Sequence, residues 1–222
     1  MKERPILFSG EMVRAILEGR KTQTRRVVKK IDQKCDGLKF IRKNEYAMIW
    51  NKNPEVEKKY VPKGGLLEIA HIHCPFGQPG DQLWVRETWA HDDPDCQNIH
   101  CENIDHIWWK ANEIKLVADS FCGSARWHPS IHMPRWASRI LLEVVSIRVE
   151  RVQEIDMNGI IAEGIHESYV ATVESGIINP PLHAFRKLWD SINEKRGYSW
   201  EVNPWVWVVE FKRIDEEIAY DR

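Results

Sequence analysis

Apolar residues recur at helical spacing in three places along the chain, and each place is bounded by residues that start or stop helices. The predicted helices and their boundaries are 10–18 between Ser9 and Gly19, 157–163 between Asp156 and Gly164, and a segment that follows Pro180–Pro181 and runs to about Lys195. In the third helix, the apolar positions form one stripe, so one face is expected to pack on the rest of the protein.

Elsewhere the apolar positions alternate or form short runs, as is typical of β-strands. The strand-like segments are 5–8, 20–28, 66–73, 82–89, 107–109, 114–117, 139–152 and 205–211. The longest, 139–152, is apolar on both faces in places, which predicts a central strand. No alternation of strands with crossover helices is present, so the sequence predicts an α+β fold: a small, mostly antiparallel β-barrel with helices packed outside it.

Two polar stretches interrupt this pattern, at about 29–65 and 91–125. Both are predicted to be loop-rich insertions, the first with at most one hairpin. The residues between 127 and 136 are dense in Pro, His and Trp, which predicts a fixed irregular loop. With 222 residues, the chain is interpreted as one elaborated domain spanning 1–222.

Composition and charge narrow the possible partners. Hydrophobic residues make up 43% and charged residues 29%, as in ordinary globular proteins, and the net charge of −1 excludes binding of nucleic acid by bulk charge. The first thirty residues are locally basic, with nine Lys or Arg against three Glu. No apolar run approaches the roughly 18 residues of a membrane span, and the first ten residues do not form a secretory signal, so we expect a cytoplasmic protein with no membrane partner.

The five cysteines are odd in number and scattered, so they are interpreted as free thiols. Soft ligands cluster loosely in the middle of the chain: His71, His73, Cys74, Cys96, His100, Cys101 and Cys122. Structural zinc sites use short ligand pairs, and this set has no Cys-x2-Cys pair, so no metal and no cofactor are predicted.

The most informative segment is Gly19–Arg26, where a lysine is followed by alternating hydroxyls and arginines. Neighbouring cations and partial burial would lower the pKa of Lys21, and a neutral lysine can act as a general base on a threonine hydroxyl. Lys21 and Thr24 are three residues apart, so Lys21 must lie in the turn or the strand must bulge for them to meet. The alternative is a solvated basic strand edge or a patch that contacts phosphates.

Two further groups of residues are candidates for contacts with a substrate. Arg86 and Glu87 follow a Gly-Asp turn, where they form either part of a cleft or a structural ion pair on the sheet. Trp136, with Arg135 and Arg139, would place an aromatic face beside phosphate contacts if the Pro-rich loop holds it on the surface. Packing in the core is the alternative for Trp136, as for the other ten tryptophans.

Several motifs occur in the order found in the ASCH superfamily, which is related to the PUA fold. They are Gly19-Arg20-Lys21-Thr22, Pro79–Glu87, and the strand 140–152 followed by Ile161-Ala162-Glu163-Gly164. The stretches 84–89, 129–136 and 203–207 resemble a longer, prophage-type branch of the same family. The resemblance covers most of the chain except about 29–65 and 91–125.

The resemblance implies a PUA-like barrel that binds RNA or a modified nucleoside in a cleft. Compact bacterial members are amidohydrolases that remove the acetyl group from N4-acetylcytidine without a metal, using a lysine, a threonine and a glutamate. Placed on this sequence, those residues are Lys21 as base, Thr24 as nucleophile, and Glu163 as the group that orients Lys21 or handles protons. The expected substrate-binding residues are Arg20, Thr22, Arg25, Arg26, Arg86, Glu87, Arg135 and Trp136.

Other functions remain open at this point. The same basic segment would serve a non-catalytic RNA-binding module or a ribonuclease of phage or prophage origin, in which cations hold phosphates. A Trp-rich surface would instead suit a phage accessory protein that binds another protein.

Overall fold

The computed structural model describes residues 1–29, 31, 37–42, 45–49, 72–91, 107–112, 127–165 and 180–214. Its elements, in chain order, are β1 (Glu3–Leu7), α1 (Gly10–Leu17), β2 (Gln23–Val27), β3 (Gly37–Arg42), β4 (Glu45–Ile49), β5 (Ile72–His73), β6 (Gln82–Arg86), β7 (Trp89–His91), β8 (Ile107–Trp109), β9 (Leu141–Arg151), α2 (Met157–Ala162), α3 (Pro180–Asn193) and β10 (Trp205–Ile214). The predicted strand at 114–117, most of the one at 66–73 and most of the second insertion lie outside the described residues.

A five-stranded sheet forms the centre of the fold, in the order β1-β6-β9-β10-β2. β1 runs parallel to β6, and the other neighbours are antiparallel, which confirms a mixed fold with a mostly antiparallel sheet. The long strand β9 lies in the middle, as its two apolar faces predict. Within the described residues, the end strands β1 and β2 do not pair, so the sheet is open and the predicted barrel stays a prediction.

The predicted strand at 82–89 is wrong in its extent. It divides into β6 and β7, and β7 leaves the main sheet to pair with β8. The break falls at Glu87, whose side chain is buried and bound by Arg139. Its backbone N–H points to the sulfur of Met133 instead of to a neighbouring strand, so the hydrogen-bond ladder ends there.

In the described part of the first insertion, β3 and β4 form one hairpin. β4 also pairs with β5, so the three strands make a second, smaller sheet. The Pro-rich loop at 127–136 is irregular, with single 3-10 turns at Ser130–His132 and Arg135–Ala137.

Two apolar clusters lie on the two faces of the main sheet. One packs α1 against the sheet through residues such as Val13, Leu142 and Trp207, each at most 2% exposed. The other packs α2 and α3 against the opposite face and includes Trp189 and Val208. The prediction that tryptophans pack in the core is therefore confirmed for Trp207 and Trp189.

The short helix α2 is bounded as the sequence predicts. The Asp156 side chain accepts a hydrogen bond from the Gly159 N–H at 2.7 Å, and Gly164 has the left-handed φ of +86° that ends the helix. Glu163 is the C-cap residue between the helix and this glycine. The ending of α2 therefore fixes where Glu163 points.

We expect Gly164→Ala to destabilise the fold by about 2–4 kcal/mol, since it combines left-handed strain with crowding. A Cβ at Gly164 would lie 3.0 Å from the Cβ atoms of both Ala15 and Lys21. Gly197 has a similar φ of +82° with no atom within 4 Å of a Cβ, so Gly197→Ala is the matched control and should cost about 1 kcal/mol. Urea denaturation measures both, and equal costs would contradict the close packing of Gly164 on Lys21.

Candidate functional site

A cavity of about 590 Å³ lies between the two end strands of the sheet. Its walls include Pro5–Leu7 of β1, Thr24–Val27 of β2 and the side of α3 that carries Leu188 and Ile192. We call it the edge-strand cavity. Its volume is in the range of small-molecule sites, which is about 300–1,000 Å³.

A buried ion pair closes the inner side of this cavity. The Lys21 side chain is fully buried, and its Nζ donates to the Glu163 carboxylate and to the Glu163 backbone oxygen, both at 2.8 Å. The two residues also form an isolated antiparallel bridge, and the neighbouring Thr22 N–H donates to the Ala162 oxygen. The segment before β2 is thus fastened along its backbone to the end of α2, and this backbone contact holds the ion pair in place.

Arg25 is a second cation on Glu163. Its Nη1 lies 3.3 Å from the other Glu163 oxygen, and its Nη2 lies 3.1 Å from Glu150 on β9. Glu163 therefore meets one buried cation on each carboxylate oxygen. A buried carboxylate needs such partners, because removal from water without them is costly.

Burial lowers the pKa of Lys21 below its ordinary value. Attraction to Glu163 opposes this effect, and repulsion from Arg26 and Arg25 adds to it. The sequence predicts the lowered pKa of Lys21 from neighbouring cations and partial burial, and in the structure removal from water is the largest cause. The Glu163 carboxylate thus raises the pKa of Lys21, and burial lowers it.

Thr24 is also part of the cavity wall. It is only 3% exposed, and both Thr24 and Glu163 line the cavity, while Lys21 lies behind the wall. Lys21 precedes the first residue of β2, so it is outside the regular strand, as its spacing from Thr24 requires. The structure therefore brings two of the three expected catalytic residues into the cavity, and the third reaches it through Glu163.

Arg26 spans the gap between the end strands. Its Nη2 donates to the Leu7 backbone oxygen at 2.5 Å, and its guanidinium lies 5.1 Å from the centre of the Phe8 ring. Lys21 Nζ lies 5.7 Å from the same ring. Both cations therefore lie within cation–π distance of the Phe8 ring. Sequence reasoning missed this role because Phe8 belongs to a short apolar run that is typical of a strand.

Arg86 also lines the cavity, but Glu87 does not. Arg86 stacks over the Trp84 ring at 4.8 Å and donates through Nε to the Met133 oxygen. Glu87 forms a bidentate ion pair with Arg139, with N–O distances of 3.0 and 3.1 Å. Burial raises the pKa of Glu87, and Arg139 opposes that rise. Glu87 is therefore part of a structural ion pair, and its partner is Arg139.

Besides Glu87, four of the expected substrate-binding residues do not line the cavity. Arg20 pairs with Glu18 and donates to the Gly164 oxygen, and Thr22 is exposed and outside the cavity lining. Arg135 pairs with Glu3 at the surface. Trp136 packs edge-to-face on Trp89 at 5.7 Å because the 3-10 turn directs it into a small apolar cluster, where it is half-buried.

The wall formed by α3 was not predicted from the sequence as part of a site. The lining residues that sequence reasoning missed include Lys29, His73, Phe76, Phe185, Leu188, Trp189, Ile192, Asn193, Arg196 and Tyr198. The apolar stripe of α3 predicts packing, and part of it does pack on the sheet. The sequence feature that could have indicated a site is that the apolar stripe is followed by two polar residues, Asn193 at the end of the helix and Arg196 just after it.

Within the described residues, no group of three or more His, Cys, Asp or Glu side chains could hold a metal ion. Of the loose ligand set noted in the sequence, this part of the chain contains His73 and Cys74. Burial raises the pKa of the Cys74 thiol to about 12, so it is not a ready thiolate ligand.

Comparison with protein-family models, curated proteins and solved structures finds no match for this chain. No helix in the described ranges is long and apolar enough to cross a membrane. The functional interpretation therefore depends on the residues of the edge-strand cavity and on the motifs that the sequence carries.

Proposed function

We propose that this protein is a metal-independent amidohydrolase that removes the acyl group from an N4-acylated cytidine bound in the edge-strand cavity. The observation that carries the proposal is the buried Lys21–Glu163 ion pair, whose Glu163 lines the same cavity as Thr24. The order of the ASCH-like motifs supports the same assignment. The proposal includes a PUA-like barrel, in which Arg26 links β2 to Leu7 of β1 where the sheet would close.

The first half of the reaction forms an acyl-enzyme. Lys21, as the neutral amine, takes the proton of the Thr24 hydroxyl, and the Thr24 oxygen attacks the acyl carbonyl carbon. Backbone N–H groups at the inner wall stabilise the negative charge that develops on the carbonyl oxygen. The carbon–nitrogen bond then breaks, and Lys21 returns the proton to the departing cytidine nitrogen. The acyl group is left as an ester on Thr24.

Water completes the cycle. It attacks the ester carbonyl while Lys21 accepts its proton, and the carboxylic acid leaves as the Thr24 oxygen regains a proton. Glu163 fixes the position of the amine throughout, because Nζ is bound to both its carboxylate and its backbone oxygen. Arg25 keeps the second Glu163 oxygen occupied, so the carboxylate cannot turn away.

The cavity suits a nucleoside in its chemistry. Aromatic side chains on its walls, including Phe76 and Tyr198, offer faces on which a base can stack. Arg86 is held over Trp84 and presents its guanidinium to the same space. A base enclosed between these groups would direct its exocyclic nitrogen towards the inner wall with Thr24.

A second candidate function is non-catalytic binding of RNA or a nucleoside. One observation favours it: Lys21 Nζ has two oxygen acceptors on Glu163, an arrangement that stabilises the charged ammonium. In that case the cations of the cavity bind a ligand and no bond is broken.

Incubation with N4-acetylcytidine and, separately, with short RNAs distinguishes these functions. We expect release of cytidine and acetate, with the RNA strands left intact. Lys21→Met should reduce deacylation by about 10²–10⁴-fold, since it removes the base. Lys187→Met is the matched control, because Lys187 is exposed on α3 and outside the cavity lining.

The variants must be shown to be folded by circular dichroism, because Lys21 is fully enclosed. Lys21→Arg serves as a second test, since arginine keeps the charge and cannot act as a base at working pH. Nucleoside binding without any turnover would establish the non-catalytic module. Cleavage of the RNA strands would identify a ribonuclease instead.

A further inference from the structure

The cations of the edge-strand cavity are not balanced by carboxylates. Among its described lining residues, Glu163 is the one acidic side chain, and its oxygens are already bound by Lys21 and Arg25. Four other cations line the cavity: Lys29, Arg26, Arg86 and Arg196. In the described part of the chain, none of these four forms an ion pair.

Two of the four cations, Arg26 and Arg196, have N–H donors without a hydrogen-bond acceptor among the described residues. The Nε of Arg26 is buried and makes no hydrogen bond. Arg196 follows α3, and its side chain forms no hydrogen bond or ion pair with other described residues. Its charge is close enough to act on Arg26, and this repulsion and removal from water both lower the pKa of Arg26. Burial is the larger of these two causes, and attraction to Glu163 opposes both.

Like charges held around a recess repel one another unless an anion lies between them. Guanidinium groups present several N–H donors in a plane, and this geometry matches the oxygens of a phosphate. Lysine adds a point charge suited to the same oxygens. Four such groups around one cavity, without carboxylates of their own, therefore have the chemistry of a phosphate site.

We propose that Arg26, Lys29, Arg86 and Arg196 form a phosphate-binding site at the edge-strand cavity, so that the ligand is a nucleotide and not a free nucleoside. This inference rests on the proposed function for the identity of the base, and it adds the phosphate and the orientation. Thr24 is buried, whereas Lys29 and Arg196 are exposed. The acylated base thus lies inside, and the phosphate lies at the mouth.

Titration calorimetry with cytidine, cytidine 5′-monophosphate and inorganic phosphate tests the site without any need for hydrolysis. We expect the monophosphate to bind about tenfold more tightly than cytidine, the gain of one or more charge-assisted contacts. Arg196→Gln should remove most of this preference and leave the affinity for cytidine within about twofold. Lys187→Gln removes the same charge elsewhere on α3 and should change neither affinity.

The outcomes separate this inference from the proposed function. Equal affinities for cytidine and its monophosphate would overturn the phosphate site, even if N4-acetylcytidine is deacylated. A phosphate preference that Arg196→Gln and Lys29→Gln both leave intact would also overturn it. A preference that depends on Arg196, in a protein that never deacylates the nucleoside or nucleotide, would uphold the site and exclude the amidohydrolase.

A cytidine-containing dinucleotide distinguishes a mononucleotide ligand from an RNA strand. Binding of the dinucleotide at least as tight as the monophosphate, with the same loss in Arg196→Gln, would support the site as a reader of phosphodiesters. Exclusion of the dinucleotide, with the monophosphate still preferred, would support it as a site for a terminal phosphate.

Discussion

Thr24→Val is expected to lose at least about a thousandfold in the rate of deacylation, because removal of a catalytic nucleophile leaves only binding and electrostatic stabilisation. Valine has nearly the shape of threonine and is itself favoured in strands. Thr24 pairs with Val209 across β2 and β10 and is 3% exposed, so the backbone contacts and most of the packing remain. The loss should therefore appear in kcat and not in the amount of folded protein.

The same exchange at Thr22 is the matched control. Thr22 belongs to the same Gly19–Arg26 segment, but it is exposed and does not line the cavity. Thr22→Val should keep the wild-type kcat within about twofold, as is usual for surface changes. A Thr24→Val protein with more than a tenth of the wild-type rate would show that another group, or water, attacks the acyl carbon.

Glu163→Gln should lower the free energy of unfolding by about 3–5 kcal/mol, since it leaves buried cations without their carboxylate. Lys21 would keep the Glu163 backbone oxygen but lose its charged partner, and Arg25 would keep only Glu150. Lys21→Met should cost less, about 1–3 kcal/mol, because Glu163 still pairs with Arg25. We therefore expect the loss of unfolding free energy to be larger for Glu163→Gln than for Lys21→Met, although the two residues form one ion pair.

Urea denaturation of the two single variants and of the double variant measures this asymmetry. The double variant should be less destabilised than the sum of the single changes, because Lys21→Met removes one of the two cations that Glu163→Gln leaves unpaired. Equal costs for the two single variants would mean that Arg25 does not share Glu163. Additive costs in the double variant would mean that Lys21 and Glu163 do not stabilise each other.

Local signals in the sequence account for much of the fold. The start of α2 follows from Asp156, and the ends of α1 and α2 follow from Gly19 and Gly164, whose effects act within one helical turn. Ser9 lies at the N-cap of α1, but its side chain makes no capping hydrogen bond. The central position of β9 follows from its apolar faces. The division between β6 and β7 could not be predicted, because it depends on Arg139, which is far from Glu87 in sequence and binds it only in the folded protein.

The site shows the same limit more sharply. Lys21 and Glu163 are 142 positions apart, so no spacing rule within one element links them. The expectation that both belong to one site comes from the resemblance of the motifs to the ASCH superfamily. Trp136 and Arg135 were expected near the substrate because aromatic and basic side chains lie side by side in the sequence. The structure directs Trp136 onto Trp89 and Arg135 onto Glu3. The cavity is lined instead by residues of α3 and by Arg196 in the 3-10 turn that follows it.

The most direct test of the central claim is the mass of the protein quenched with acid during turnover of N4-acetylcytidine. If Thr24 is the nucleophile of a hydrolytic site built on the Lys21–Glu163 pair, part of the wild-type protein should carry one acetyl group, and peptide mapping should locate it on Thr24. Thr24→Val should carry none. Rapid release of acetate with the acetyl group never found on Thr24, or found on another residue, would contradict the account.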